Sequence, residues 1–241
     1  LRQSGSMKIL FPRANGGELQ AVLVNTAGGV TGGDDFRIEG QAGPGTTLTI
    51  TTQAAERGYR AQPGSHGKIE ASLSADQGSC LQWLPQETIL FQGSSLERSI
   101  TVDLETDARM LFVEPLVFGR GAMGERLTRA RFHDRVLIRR AGVPLFLDAM
   151  RVDGDVNARL ANPHTGNGAG ALATIVFYAP EAEAQLSPIR DLLPVTDGAS
   201  LVRPNLLVAR LLARDSHDLR QSLVPVLTRL RGQPLPRPWM I

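Results

Sequence analysis

The sequence contains few cysteines, lysines and aromatic residues. Cys80 is the single cysteine, so no internal disulfide can form and we expect a reducing compartment, the cytosol. No apolar run is long enough to cross a membrane and no secretory pattern opens the chain, so we expect no membrane partner. The opening residues resemble the middle of a fold, and we expect further residues before Leu1. Because 42% of the 241 residues are hydrophobic, the chain can still bury a core.

Lysine is scarce even though the chain is basic. Of the 26 basic residues only Lys8 and Lys68 are lysines. Arginine is favoured in protein interfaces and in bidentate contacts with carboxylates, although codon bias in a GC-rich genome gives the same composition. The arginines between Arg120 and Arg140 match no recognised nucleic-acid motif, so we expect no nucleic-acid partner.

Short segments of β-forming residues fill the chain from residue 19 to residue 152. Three strand–turn–strand units, at 36–53, 68–87 and 99–115, align when Leu48, Leu81 and Met110 are taken as equivalent. Such a repeat is typical of stacked units that bury their apolar faces on one another. We therefore predict a mainly β fold, with a stacked β-helix-like or two-layer body over residues 1–160. An ordinary β-sandwich is the alternative.

The last part of the chain combines strand and helix patterns. Residues 171–241 predict a smaller α+β portion with two helices, packed on the β body or continuous with it, after a linker at 163–170. The second helix is expected to begin after Asp215 or Ser216 and to end at Gly232, because capping and C-terminal signals stand there.

A glycine-rich stretch, NTAGGVTGGDD, spans residues 25–35 and invites comparison with phosphate-binding loops. A Walker loop needs Lys and Ser or Thr after its glycines, and a dinucleotide loop needs a helix there. Here Asp34 and Asp35 follow, and then a strand-like segment. The stretch therefore indicates a tight crossing between strands, in which glycine permits positive φ and Asp34 closes a turn.

Residues able to carry chemistry are scattered along the chain. The histidines and Cys80 show no metal-ligand spacing and no nucleophile motif is present, so we predict no catalytic residue and no tightly bound cofactor. Carboxylates at Asp34, Glu87 and Glu114 are candidates for a weak, transient metal site. The segment 81–93, LQWLPQETILFQG, is interpreted either as a recognition loop or as a core strand leading to a buried turn.

Stacking of the repeats has a consequence for the loops that follow their second strands. These loops are expected to meet at one end of the stack. The alternative is that they are three unrelated turns at the surface. The charged rim that they would form carries Glu56, Arg57, Tyr59, Arg60, Gln86, Glu87, Glu114, Arg120 and Glu125.

Five segments together resemble the urease accessory protein family UreD, also called UreH. They are NTAGGVTGGD, TTQAAERGYRA, LQWLPQETILFQG, FGRGAMGE and the terminal LPRPW, in the family's order and at its approximate spacing over nearly the whole chain. The resemblance implies a mostly β, stacked protein that is not an enzyme. It implies binding to the urease apoprotein and recruitment of UreF and the GTPase UreG, so that nickel in transit is inserted into the urease active site.

The resemblance also implies which positions matter. The family's motifs fall on Asn25, Gly28, Gly29, Gly32, Gly33, Asp34, Tyr59, Arg60, Trp83, Leu84, Pro85, Gln86, Glu87, Gly119, Arg120, Gly124 and Glu125. All of these except Leu84, Gly119 and Gly124, together with Arg57 and Glu114, are our candidates for partner binding or for a polar nickel path. Gly58 and Gly121 depart from the family pattern, and a glycine at position 58 is expected to loosen the turn before Tyr59. The alternatives are an interaction module unrelated to urease and an enzyme that uses Asp34, Glu87 or Glu114.

Overall fold

The computed structural model describes residues 1–13 and 17–240, which form 15 β-strands, three α-helices and two short 3₁₀ turns. The strands are β1 (Met7–Leu10), β2 (Glu18–Asn25), β3 (Asp35–Ala42), β4 (Thr47–Thr52), β5 (Glu56–Gly58), β6 (Gly67–Ala75), β7 (Cys80–Leu84), β8 (Thr88–Leu90), β9 (Ser95–Leu104), β10 (Arg109–Phe118), β11 (Ala130–Arg140), β12 (Val143–Gly154), β13 (Ala171–Tyr178), β14 (Gly198–Arg203) and β15 (Leu206–Ala213). The helices are α1 (Val156–Ala161), α2 (Ala182–Arg190) and α3 (Ser216–Arg231), and the 3₁₀ turns are Gly121–Met123 and Arg237–Met240.

Two sheets are wound from the same coils of chain. The first sheet has the order β1-β2-β4-β7-β10-β13-β15-β14, with β8 beside β10 and β5 beside β8, and the second has the order β12-β11-β9-β6-β3. Strands β2, β4, β7 and β10 run parallel in the first sheet, as β3, β6, β9 and β11 do in the second. Each coil thus supplies a strand to each sheet, which confirms the predicted mainly β, stacked body.

The strand register confirms the repeat that the sequence predicts. Leu48 pairs with Leu81, and Leu81 pairs with Met110, so the three equivalent residues stand on one line across neighbouring coils. All three are buried, because apolar residues in one register pack on each other from coil to coil. Leu19 pairs with Leu48 and adds a coil that the repeat alignment did not include.

The two sheets differ in how much of their surface is covered. In β6, Ile69, Ala71 and Leu73 point into the core while Lys68 and Glu70 face solvent, as expected for a sheet with one wet face. In β10, by contrast, every residue from Met110 to Phe118 is buried. The second sheet covers one face of β10 and helices cover the other, so polar residues of this strand lie inside the protein.

After residue 170 the chain continues the first sheet, because β13 pairs with β10 and β15 pairs with β13. Helix α3 begins after Asp215, whose carboxylate accepts a hydrogen bond from the Asp218 N–H (2.9 Å), and ends at Gly232 with φ +69°, as predicted. Helix α1 was not predicted; Asp155 caps it through the Ala158 N–H (2.8 Å). None of the helices formed by the described residues has the length and apolarity needed to span a membrane.

Candidate functional site

The glycine-rich loop closes the first coil between β2 and β3. Asn25 Nδ2 donates to the Gly29 carbonyl (2.9 Å), and the Asp34 carboxylate accepts from the Thr31 N–H (2.8 Å). Gly28 has φ +79°, which other residues rarely adopt. Because the loop leads directly into a strand, as predicted, it has the geometry of a strand crossing and not of a dinucleotide-binding loop.

Two more glycines of this loop are required by close packing. A Cβ atom on Gly29 would lie 2.6 Å from the Arg57 carbonyl oxygen and would overlap the Tyr59 ring. A Cβ atom on Gly32 would overlap the Ser65 side chain. The loop can therefore lie against the next coil only because these positions lack side chains.

Replacing Gly29 with alanine should lower the free energy of unfolding by about 1–3 kcal/mol, since the tyrosine ring and the facing backbone must move. Urea unfolding of the variant and the parent protein measures this difference. Gly121→Ala is the matched control, because nothing lies within 4 Å of an added Cβ there. Equal losses in both variants would contradict the packing argument.

An aromatic and arginine stack joins the loop to two further coils. The Tyr59 hydroxyl donates to the Gly28 carbonyl (3.1 Å), and the Tyr59 ring meets Phe91 edge-on with centroids 5.2 Å apart. The Arg120 guanidinium lies 4.4 Å from the Phe91 centroid and donates to the Glu125 carboxylate at 2.9 and 3.1 Å. Residues that are distant in sequence therefore meet on one side of the stack.

A cavity of about 300 Å³ lies between the two sheets. Its volume corresponds to roughly ten water molecules. Trp83 and Glu114 belong to its inner wall, while Asn25, Glu56 and the exposed Arg57 line it near the glycine-rich loop. The cavity thus extends from the loop side toward a buried carboxylate.

Two buried charged side chains, Arg98 and Glu114, line this cavity, and the half-buried Asp134 pairs with Arg98. Arg98 donates through Nε and Nη2 to both oxygens of Asp134 (2.9 and 2.7 Å) and through Nη1 to the Thr88 hydroxyl (3.1 Å). Arg98 also forms an ion pair with Glu114, whose other oxygen accepts from Trp83 Nε1 (2.5 Å). We call Arg98, Glu114 and Asp134 the charged triad; its two carboxylates share one guanidinium.

Burial controls how the triad ionises. It raises the pKa of Glu114 to about 7, with a further contribution from the charge of Asp134, although Arg98 acts in the opposite direction. Burial also opposes the charge on Arg98, but the two carboxylates outweigh it and raise the pKa of Arg98 above its ordinary value. The cavity wall therefore gains or loses one negative charge close to neutral pH.

The Trp-Leu-Pro-Gln-Glu segment is held by the C-terminal part of the chain. Arg220 of α3 donates to Gln86 Oε1 (2.8 Å), to the Glu87 carboxylate (3.1 Å) and to the Trp239 carbonyl (2.8 Å). Trp239 Nε1 in turn donates to the Leu84 carbonyl (3.0 Å). Because nearly every residue from 81 to 90 is buried, this segment is a core strand leading to a buried turn.

The predicted positions divide into separate groups. On the loop side of the coils lie Gly29, Tyr59, Arg60, Arg120 and Glu125. The cavity is lined by Asn25, Gly28, Arg57, Trp83, Pro85, Gln86 and Glu114. Gly32, Gly33 and Asp34 shape the far end of the glycine-rich loop.

The single charged rim expected from the stacking is not what the structure contains. The loops do meet, but Glu87 and Glu114 are buried, at 6% and 5% exposure. Each can be buried because an arginine from a distant segment compensates its charge, Arg220 for Glu87 and Arg98 for Glu114.

No group of three or more His, Cys, Asp and Glu side chains is arranged to hold a metal ion in residues 1–13 and 17–240. The three predicted carboxylates are engaged separately. Asp34 accepts from the backbone, Glu87 pairs with Arg220 and Glu114 pairs with Arg98. A metal ion that approaches any of them must therefore compete with a partner already in place.

Sequence reasoning missed Arg98 although a signal for it exists. Arg98 lies in phase with Leu96, Ile100 and Val102 on a strand whose alternate residues are buried, so its position points inward. A buried arginine requires a carboxylate partner. Arg220 carries no comparable signal, because its contact with Glu87 joins residues 133 positions apart.

Comparison with known proteins decides which family these motifs belong to. The family model for the UreD urease accessory protein matches residues 1–240. The chain belongs to the UreD family. It is 54% identical over 241 residues to the urease accessory protein UreD of Ruegeria pomeroyi, covering 100% of this chain and 94% of the relative. It is 49% identical to UreD of Roseobacter denitrificans over 241 residues, covering 100% of this chain and 88% of that protein.

The resemblance inferred from the five segments is thereby confirmed, and the structure relates the UreD segments in space. Three of them meet through the Tyr59, Phe91 and Arg120 stack. The terminal LPRPW segment contacts the Trp-Leu-Pro-Gln-Glu segment through Trp239 and the Leu84 carbonyl. The segments that identify a UreD protein therefore contact one another in the fold, although they lie far apart in sequence.

Proposed function

We propose that this protein is a urease maturation factor, a scaffold with no catalytic activity of its own. It binds the urease apoprotein in the cytosol and recruits UreF and, through UreF, the GTPase UreG, so that nickel enters the urease active site. The observation that carries this proposal is the family match over residues 1–240, together with 54% identity to a protein named urease accessory protein UreD.

The cavity supports a role in passing nickel between partners. Glu56 stands near the glycine-rich loop and Glu114 at the inner end, so carboxylate oxygens mark two points along one cavity whose other lining is largely apolar. Carboxylate and water oxygens are weak ligands for such metals compared with thiolates and imidazoles, which suits transit better than storage. Nickel is the cargo of this path, and within residues 1–13 and 17–240 no group of three or more His, Cys, Asp and Glu side chains is arranged to hold it.

The arrangement of the carboxylates does not favour the alternative of an enzyme on a β scaffold. General acid–base chemistry needs two groups that face one reacting position. Asp34, Glu87 and Glu114 instead have three different partners, and Glu87 turns toward α3 while Glu114 faces the cavity. A scaffold whose carboxylates are held by separate partners fits these contacts better.

Replacing Glu114 with glutamine should reduce urease activation at least about tenfold, which corresponds to about 1.4 kcal/mol of lost interaction with a passing cation. The substitution keeps the shape of the side chain and removes its charge from the cavity wall. The measurement is urease activity in cells that lack their own UreD-type protein and receive this chain, with added nickel and equal expression.

Glu87→Gln is the matched control, because Glu87 is equally buried and paired with an arginine but turns toward α3. It should leave activation within about twofold of the parent protein, provided that thermal unfolding shows both variants folded. Full activation by a folded Glu114→Gln variant would refute the path through this carboxylate. Failure of the parent chain to restore urease activity would refute the function itself.

A further inference from the structure

The loop side of the coils carries a surface formed by three stacked segments. The Ala61 N–H donates to the Gly93 carbonyl (3.0 Å), and the Gly93 N–H donates to the Arg129 carbonyl (2.7 Å). These bonds align residues 57–61, 91–94 and 119–129 side by side. We call the arginines that they carry, Arg57, Arg60, Arg120, Arg126 and Arg129, the arginine face.

The arginine face has an excess of positive charge. All five of its side chains are exposed, and within residues 1–13 and 17–240 only Arg120 has a carboxylate partner, Glu125. Glu56 and Asp34 also stand nearby, and with Glu125 they leave the five arginines an excess of two positive charges. Unpaired charge of one sign on one surface attracts a partner of the opposite sign.

The centre of this face is held by contacts within the protein. Arg120 is held on both sides, by the Phe91 ring at 4.4 Å and by the Glu125 carboxylate. The Glu125 carboxylate also accepts the Arg120 N–H (3.0 Å), which holds the loop that presents Met123 at 76% exposure. An ordered arginine beside an exposed apolar side chain loses little conformational entropy on binding and is typical of protein interfaces.

From these observations we propose that the arginine face docks a carboxylate-rich segment of a partner protein. The aromatic rings of this surface do not favour a nucleic acid, because Arg120 covers one face of Phe91 and Tyr59 meets its edge, while the Tyr59 hydroxyl is bonded to Gly28. Bases need a free ring to stack on. The proposal rests on the proposed function only for the choice of partners to test.

Charge reversal on this face tests the proposal. The face variant, Arg60→Glu with Arg129→Glu, reverses one charge in each of two segments of the face. The matched control is Arg135→Glu with Arg203→Glu, because both of these arginines are exposed and lie on strands outside the face. Binding of each protein to immobilised apo-urease, to UreF and to a single-stranded RNA is measured at low and at physiological salt. The face variant should lose at least about tenfold in affinity for one of the two proteins and part of its salt dependence, while the control stays within about twofold.

The outcomes separate this proposal from the proposed function. If the parent protein binds apo-urease or UreF and the face variant binds equally well, or if the control loses as much, the docking surface is wrong while the function stands. Loss of RNA binding with unchanged protein binding also overturns it. If the parent protein binds neither apo-urease nor UreF, the proposed function fails, and binding of a polyglutamate peptide then decides the docking proposal. Binding of the peptide by the parent protein and not by the face variant supports the proposal. No binding of the peptide by the parent protein overturns it.

Discussion

Replacing Arg231 with methionine should lower the free energy of unfolding by about 3–5 kcal/mol, because the change leaves a buried carboxylate without its counter-charge. Arg231 ends α3 and donates through Nη2 to both oxygens of Glu18 (2.7 and 2.6 Å) and through Nε to Gln82 (2.7 Å). The side chains of Glu18 and Arg231 are only 5% and 2% exposed. Burial raises the pKa of Glu18, but hydrogen bonds from Gln20 and Arg231 outweigh it and lower that pKa overall.

Urea unfolding measures this loss, with Arg229→Met as the matched control. Arg229 lies two positions earlier on the exposed side of α3 and donates only to Gln185, so its replacement should cost less than about 1 kcal/mol. Replacing Glu18 with leucine together with Arg231→Met should recover most of the loss, since no charge then remains unpaired. An Arg231→Met protein as stable as the control would show that the pair is not what secures α3 to the first coils.

The second large effect concerns pH. As pH rises from 4.5 to 8, the protein should lose about 3 kcal/mol of stability relative to its Glu114→Gln variant. Burial raises the pKa of Glu114 from an ordinary 4.5 to about 7, so the folded protein holds this proton more tightly than the unfolded chain. The resulting stabilisation is complete below pH 4.5 and is lost as pH rises through about 7.

Glutamine resembles the protonated carboxyl group and does not titrate, so the difference between the two proteins isolates this one group. Urea unfolding of both at pH 5, 6, 7 and 8 gives the curve, and carboxylates elsewhere cancel in the subtraction. A difference that stays constant across this range would mean that Arg98 keeps Glu114 ionised throughout. A protein that gained stability relative to Glu114→Gln as pH rises would show that folding lowers the pKa of Glu114, the opposite of the prediction.

The stacking of the coils could be predicted because its signal is local and periodic. Leu48, Leu81 and Met110 recur at a nearly constant spacing, and neighbouring coils repeat one pairing register. The glycine-rich loop was predictable for a related reason, since Asp34 and a strand follow its glycines where a nucleotide loop would require other residues.

The buried ion pairs could not be predicted in the same way. Glu87, Glu114 and Glu18 look like surface carboxylates in sequence, because a charged residue is usually exposed. The partner of Glu114 is Arg98, which comes from another strand. The partners of Glu87 and Glu18 are Arg220 and Arg231, which come from α3, more than a hundred residues away. The periodicity of β9 contained the only usable hint, which was the inward phase of Arg98.

By itself the sequence determined the stacked β body, the strand crossing at Asn25–Asp35 and the UreD family, because these depend on local pattern and on motif order. Only the tertiary structure decided that Glu114 faces a cavity, that Glu87 turns to α3 and that the exposed arginines share one face. The physical reason is that burial and charge compensation depend on which distant segments meet, and a linear pattern does not record that.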